Sequence, residues 1–168
     1  MKILYCSLAA CFCLALVVPI LPGAQDVPKE TCVVYYFGAT NCGYCNVPEN
    51  IEKIKQIKNE FYKKYPNFDT KYVLVCMDRN IEEGLAFIKK YGFWDEISIG
   101  SFYHNELALN YLNKTKIAGV PHIIVYKDNY EIGEYSIPVI KDRKLVVDLV
   151  GASEITNWIS NGYPLKSQ

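Results

Sequence analysis

The strongest constraint on this 168-residue chain is a pair of cysteines, Cys42 and Cys45, between a strand pattern and a helix pattern. Upstream, residues 33–37 (VVYYF) form a β-branched and aromatic run that is typical of a buried strand. Downstream, apolar residues recur at helical spacing, at Ile51, Ile54, Ile57 and Phe61. The pattern predicts a helix over about 43–64 that holds Cys45 in its first turn. Pro48, within the first two turns, lacks an N–H and either kinks this helix or marks its true start.

Two cysteines separated by two residues at a helix start favour thiol–disulfide chemistry. Unpaired backbone N–H groups and the positive end of the helix dipole stabilise a thiolate at this position. The thiolate is the nucleophile of disulfide exchange, and a second thiol two residues away closes a ring and releases a mixed disulfide. The pattern therefore predicts a redox-active pair. An inert structural disulfide is the alternative, but so small a ring gains little from loop-closure entropy.

Residues 1–24 have the pattern of a secretory signal peptide. One lysine is followed by an apolar stretch and by the small-residue end Pro-Gly-Ala at 22–24. Two alternatives stay open: residues 3–21 are long enough for a retained membrane anchor, and residues 8–11 (LAAC) resemble a bacterial lipoprotein box. In each case we expect the domain over 25–168 to be extracytoplasmic, either periplasmic or secreted, where disulfides form.

The composition describes one globular domain and excludes several classes of partner. Of the residues, 51% are hydrophobic, and 18 basic residues balance 18 acidic ones. A balanced charge gives no electrostatic reason to bind nucleic acid or an anionic membrane. Outside the pair, Cys32, Cys76, His104 and His122 lack the spacing of zinc ligands, so we predict no metal and no cofactor. We expect a monomer.

The order of the predicted elements describes a mixed α/β sheet. Strands at about 32–37 and 71–77 flank the first helix and form a right-handed βαβ unit, followed by a helix at 81–91. Residues 95–102 are predicted as loop, before a further helix that contains Leu107 and Leu112. The cysteine pair lies just past the end of the first strand, which is where sites lie in open α/β sheets.

The last third of the chain is predicted to be antiparallel. A strand at 122–126 is followed by a turn at Asp128 and Asn129 and by a partner strand at 131–137. A second turn is predicted at 141–143, before a strand at 145–150. A closing helix over 154–160 ends the domain.

Residues 37–45 (FGATNCGYC), together with residues 119–121 (GVP) before a late strand, resemble the thioredoxin superfamily over nearly the whole chain after residue 24. The resemblance implies a thioredoxin-like α/β fold, in which a central mixed sheet has a βαβ unit followed by a β-hairpin and a C-terminal helix. It also implies protein-disulfide oxidoreductase activity, with Cys42 attacking and Cys45 resolving. Pro121 is implied to be cis beside the pair, and the Val120 backbone to pair with bound substrate.

Several positions depart from the family pattern. Gly38 and Asn41 replace its tryptophans, and Tyr36 occupies the place of the buried acid that relays a proton to the resolving thiol in thioredoxins. The Gly43-Tyr44 dipeptide resembles that of bacterial periplasmic disulfide isomerases. We therefore expect a reductase or isomerase with a slow resolving step. Its partners are expected to be protein thiols and disulfides and a membrane or exported redox protein, bound at Gly43, Tyr44, Val120 and Pro121.

The remaining polar and thiol residues have simpler predicted roles. Cys32 and Cys76 are expected to be reduced core thiols, since a stagger of roughly five residues at about 3.3 Å each is too far for a disulfide. His122 is predicted to face a loop or solvent, with tuning of the pair or metal binding as alternatives. Asp78 and Glu49 are predicted to be solvated helix-end charges.

Two functions from other classes stay open at this point. One is a copper-handling protein in which Cys42, Cys45 and His122 hold Cu(I), a soft ion that suits thiolates. The other is a non-catalytic interaction module.

Overall fold

A computed structural model describes residues 30–166 as a mixed sheet covered by helices on both faces. The strands are β1 Glu30–Gly38, β2 Asp69–Cys76, β3 Glu96–Ile99, β4 His122–Ile132 and β5 Pro138–Val150. The helices are α1 Pro48–Lys64, α2 Ile81–Lys89, α3 Glu106–Asn110 and α4 Gly151–Ser160. The predicted signal peptide and its two alternatives lie outside the described residues. Among residues 30–166, no helix combines the length and the apolar character needed to cross a membrane.

The strand order is β3-β2-β1-β4-β5. β1, β2 and β3 are parallel, whereas β4 is antiparallel to β1 and β5 is antiparallel to β4. A parallel βαβ unit therefore continues into an antiparallel hairpin and a closing helix. This arrangement confirms the predicted thioredoxin-like fold.

The central strand β1 is buried at every residue after Glu30. One face of the sheet packs Tyr36 and its neighbours against α1, α2 and α4. The other face packs Tyr35 and Phe37 against α3 and the 3₁₀ turn Leu112–Lys114. Burial on both faces explains why the sequence of β1 is a continuous apolar run instead of an alternating one.

Two predictions in the parallel half of the fold are wrong. Part of the predicted loop 95–102 is the edge strand β3, whose four residues are too few to produce a recognisable pattern. The first helix begins at Pro48, one of the two starts that the sequence left open, because proline has no N–H to donate and is favoured at the first helical position. Cys45 therefore lies in a separate 3₁₀ turn, Tyr44–Asn46, ahead of α1.

The hairpin was also predicted with its turns in the wrong places. β4 and β5 pair through Asp128 and Arg143, with register shifts at 125/126 and 129/130, and the chain reverses at residues 133–137. Asp128 is fully buried, and the Arg143 guanidinium holds it through Nε to Oδ1 at 2.7 Å and Nη2 to Oδ2 at 2.5 Å. The polar residues that suggested turns are thus the two halves of an ion pair across neighbouring strands.

Candidate active site

Cys42 and Cys45 form a disulfide, with their Cα atoms 5.2 Å apart, in the loop that follows β1. Cys42 is 8% exposed, whereas Cys45 is fully buried. An approaching thiol or disulfide can therefore contact the Cys42 sulfur first. This asymmetry is what a pair with one attacking and one resolving cysteine requires.

A backbone N–H group contacts the Cys42 sulfur. The Cys45 N–H donates to Cys42 Sγ at 3.1 Å, from the 3₁₀ turn that holds Cys45. An N–H donor favours the charged form of a sulfur that it contacts. We predicted that this N–H donor would belong to the first turn of α1, but it belongs to the short 3₁₀ turn before α1.

Hydrogen bonds of the Asn46 side chain hold the loop that carries Cys42. Its side-chain Nδ2 donates to the Thr40 carbonyl at 2.9 Å and to the Cys42 carbonyl at 2.8 Å. Its Oδ1 accepts from Lys90 Nζ at the end of α2, at 2.7 Å. Because the first helix was predicted to begin before residue 46, nothing in the sequence distinguished this side chain.

The Val120–Pro121 peptide bond is cis. The antiparallel pairing of β1 with β4 ends at Phe37 and His122, so Pro121 lies beside Gly38, where the loop to Cys42 begins. Val120 borders a groove of about 290 Å³ that also reaches the cysteine loop; its lining comprises Ala39, Asn41, Met77, Phe102, Ala118 and Gly119. The structure thus brings together Val120, Pro121 and the loop before Cys42.

Apolar side chains are exposed at this end of the sheet. Tyr44, between the two cysteines, is 67% exposed, in agreement with its predicted position, and Gly43 beside it is exposed as well. Tyr103 follows β3 and Ile117 precedes β4, and both are largely exposed. The surface around Cys42 is therefore suited to contact with apolar segments of another protein.

Gly38 departs from the family pattern for a packing reason. A Cβ at this position would lie 2.7 Å from the ring carbon Cζ of Phe87, whose side chain is fully buried. A larger residue would therefore force the buried Phe87 ring to shift.

Tyr36, at the place of the expected buried acid, belongs to a chain of hydroxyl groups. Its hydroxyl lies 2.9 Å from the Tyr91 hydroxyl, which donates in turn to the Cys45 carbonyl. Burial raises the pKa of Tyr36 well above its usual range and that of Tyr91 to about 12. Both phenols are therefore neutral at physiological pH, and they support the Cys45 backbone without supplying a carboxylate.

The prediction for Asp78 is wrong, because this residue is buried. Its carboxylate accepts from the Thr40 N–H at 3.0 and 3.1 Å, from the Thr40 hydroxyl, and from the Cys76 thiol at 2.8 Å. Burial, together with the Asp78 contact, raises the pKa of Cys76 to about 12. Asp78 thus connects the end of β2 to the cysteine loop, whereas Glu49 is exposed as expected.

His122 does not face solvent as predicted. It is 1% exposed, and its Nε2 lies 2.6 Å from Asp148 Oδ1. Its ring contacts Phe37, which belongs to the face of the sheet opposite the cysteine cluster. The structure therefore does not bring His122 to Cys42 and Cys45. Residues 30–166 also contain no group of three His, Cys, Asp or Glu side chains placed to hold a metal.

Cys32 and Cys76 are free and buried, as predicted. Burial is the main cause that raises the pKa of Cys32 to about 11 and that of Cys76 to about 12. We expect neither thiol to react with iodoacetamide at pH 8 in the folded protein and both to react in denaturant, as read by peptide mass mapping. Rapid native labelling at either residue would contradict the structure.

The same two thiols give the stability of the domain a pH dependence. Their pKa values in the folded state exceed the ordinary thiol value, so folding favours the protonated form. This stabilisation is complete below about pH 8.5 and is lost as the pH rises towards 12. Chemical denaturation at pH 8 and pH 10.5 measures the loss, and replacement of both residues by alanine should reduce it.

No family model matches the chain, and neither does any curated protein. Solved structures do match, among them the thioredoxin domain of a thiol-disulfide oxidoreductase from Bacteroides vulgatus, with 18% identity, 79% of each chain covered and a TM-score of 0.49. A thiol:disulfide interchange protein from a Bacteroides species matches with 18% identity over 79% of this chain and 73% of its own, at a TM-score of 0.48. A thiol-disulfide oxidoreductase from Bacteroides fragilis matches with 21% identity over 78% of this chain and 80% of its own, at a TM-score of 0.44.

The strand order of this chain and the position of its disulfide define its class. The chain is a thioredoxin-fold protein with a Cys-x-x-Cys disulfide at the end of its central strand.

Proposed function

We propose that the chain is an exported thiol–disulfide oxidoreductase that acts on protein substrates through Cys42 and Cys45. The observation that carries the proposal is the disulfide at the end of β1, of which only the Cys42 residue reaches the surface. Export is inferred from the pattern of residues 1–24. An inert cross-link would have no need for one accessible and one buried sulfur.

The proposed reaction begins from the reduced pair. The Cys42 thiolate attacks one sulfur of a substrate disulfide, forms a mixed disulfide and expels the other substrate sulfur as a thiolate, which takes up a proton. The Cys45 thiol loses its proton to solvent and attacks Cys42 Sγ, which releases the second substrate thiol. The substrate disulfide is reduced by two electrons, and the Cys42–Cys45 disulfide forms. An exported or membrane-bound dithiol protein then reduces the pair for the next cycle.

The substrate is proposed to bind across Val120 and Tyr44. The Val120 backbone lies at the edge of the groove that reaches the cysteine loop, where an extended segment can pair with it. Pro121 shapes this edge, and Gly43 leaves the approach to Cys42 free of a side chain. The exposed ring of Tyr44 offers an apolar contact to the same segment.

Equilibration of the protein with mixtures of reduced and oxidised glutathione tests this function. We expect the Cys42–Cys45 pair to reach a reversible, two-electron equilibrium between dithiol and disulfide, measured by acid quenching, thiol alkylation and mass spectrometry. The matched variant Cys32→Ala should give the same equilibrium, because this thiol lies at the far end of β1. A pair that does not exchange with glutathione at all would rule the proposal out.

A further inference from the structure

Asp78 places a carboxylate beneath the loop that carries Cys42. It is 7% exposed and lies two residues beyond the end of β2, the strand that pairs with the end of β1. Both of its oxygens accept from Thr40, two residues before Cys42. Consecutive Cα atoms are about 3.8 Å apart, so the Thr40 and Cys42 Cα atoms are at most about 7.6 Å apart.

The hydrogen-bond donors to the Asp78 carboxylate are uncharged groups. Its donors are the Thr40 N–H, the Thr40 hydroxyl and the Cys76 thiol, all of which are neutral. Neutral donors stabilise a carboxylate without cancelling its field. A buried charge also acts over longer distances than an exposed one, because water screens it less.

We propose that the Asp78 carboxylate is a positioning residue that favours the Cys42–Cys45 disulfide over the reduced pair and thereby makes the protein an electron donor to its substrates. The inference rests on the proposed function and gives it a direction. A negative charge near Cys42 opposes the thiolate and so destabilises the reduced state. Thiol–disulfide proteins whose reduced form is stabilised are oxidants, and the opposite effect makes a reductant.

Other charged and titratable groups also face the pair. Lys90, directly after α2, contacts Asn46 and has the opposite influence on the Cys42 thiolate, and Glu49 lies exposed in the first turn of α1. Tyr36 and Tyr91 are neutral, and Cys76 holds its proton towards Asp78. Among these charged groups, Asp78 combines burial with a direct hydrogen bond to the cysteine loop.

Substitution Asp78→Asn tests the inference, because asparagine keeps the shape and one acceptor while it removes the charge. We expect the equilibrium constant for oxidation of the pair by glutathione disulfide to fall about tenfold, which is about 30 mV for a two-electron couple. The pKa of the Cys42 thiol, followed through its rate of alkylation against pH, should fall by roughly one pH unit. Glu49→Gln is the exposed control and should change the equilibrium less than twofold.

Thr40→Val separates charge from loop packing. It removes a hydroxyl donor but keeps the Asp78 charge, so we expect the oxidation equilibrium to move in the opposite direction from that of Asp78→Asn. If both variants move it in the same direction, Asp78 only holds the loop and the electrostatic role is wrong. If Asp78→Asn does not fold, an unchanged or decreased equilibrium constant in Thr40→Val alone overturns the inference. In either case, a wild-type pair that still equilibrates leaves the proposed function intact.

Discussion

Replacement of Cys42 by serine is expected to abolish disulfide exchange, and replacement of Cys45 by serine to stop it at a covalent intermediate. Cys42 is the residue of the pair that has exposed surface, so its loss removes the nucleophile. We expect the rate of insulin reduction in the presence of dithiothreitol to fall to the uncatalysed level, by on the order of 10³-fold or more. Without the Cys45 thiol, the mixed disulfide between Cys42 and substrate lacks its internal resolving group.

The Cys45→Ser protein should therefore carry substrate proteins as adducts that reducing agent releases on a gel. Cys32→Ala is the matched control, since Cys32 is fully buried and lies in the same core cluster as the pair. It should retain turnover and form no adducts. A wild-type protein that reduces insulin no faster than Cys42→Ser would instead identify the chain as an interaction module that does not use its cysteines.

Replacement of Arg143 by methionine is expected to destabilise the domain by about 3–5 kcal/mol. The guanidinium makes two hydrogen bonds to Asp128, whose carboxylate is fully buried, and a further one to the Tyr111 hydroxyl. Its removal leaves an uncompensated charge inside the hairpin. Urea denaturation followed by circular dichroism measures the free energy of unfolding.

Lys141→Met on the same strand is the control for Arg143→Met. Lys141 pairs with Glu131 at 3.3 Å, but both side chains are more than half exposed, so this variant should change the free energy of unfolding by under about 1 kcal/mol. If both variants lower the free energy of unfolding equally, the effect comes from placing methionine on this strand, and the buried ion pair does not contribute as proposed.

The parallel half of the fold could be predicted because its signals are local. The apolar run of β1, the spacing of apolar residues in α1 and the Cys-x-x-Cys between them lie within about thirty residues. β3 was missed because four residues carry too little pattern, and the hairpin turns were misplaced because Asp128 resembles a turn residue until Arg143 is brought opposite to it.

The residues that support the cysteine pair were mostly not predictable. Asn46 reaches the cysteine loop from the turn before α1, and Tyr91 reaches it from the segment that follows α2. Asp78 reaches it from two residues beyond the end of β2. His122 follows Pro121 directly, yet the alternation of β4 sends its ring to the opposite face of the sheet. These contacts join residues at sequence separations that no local pattern specifies, so the sequence alone could not predict them.

By itself, the sequence determined the fold class and the two sulfurs, because both depend on short patterns of polarity and on residues that are neighbours in the chain. Only the tertiary structure decided which sulfur is accessible, and that the carboxylate beneath it comes from Asp78 and not from the position of Tyr36. Burial and the field of a charge depend on which distant segments pack together, and that is established only when the sheet and its helices have assembled.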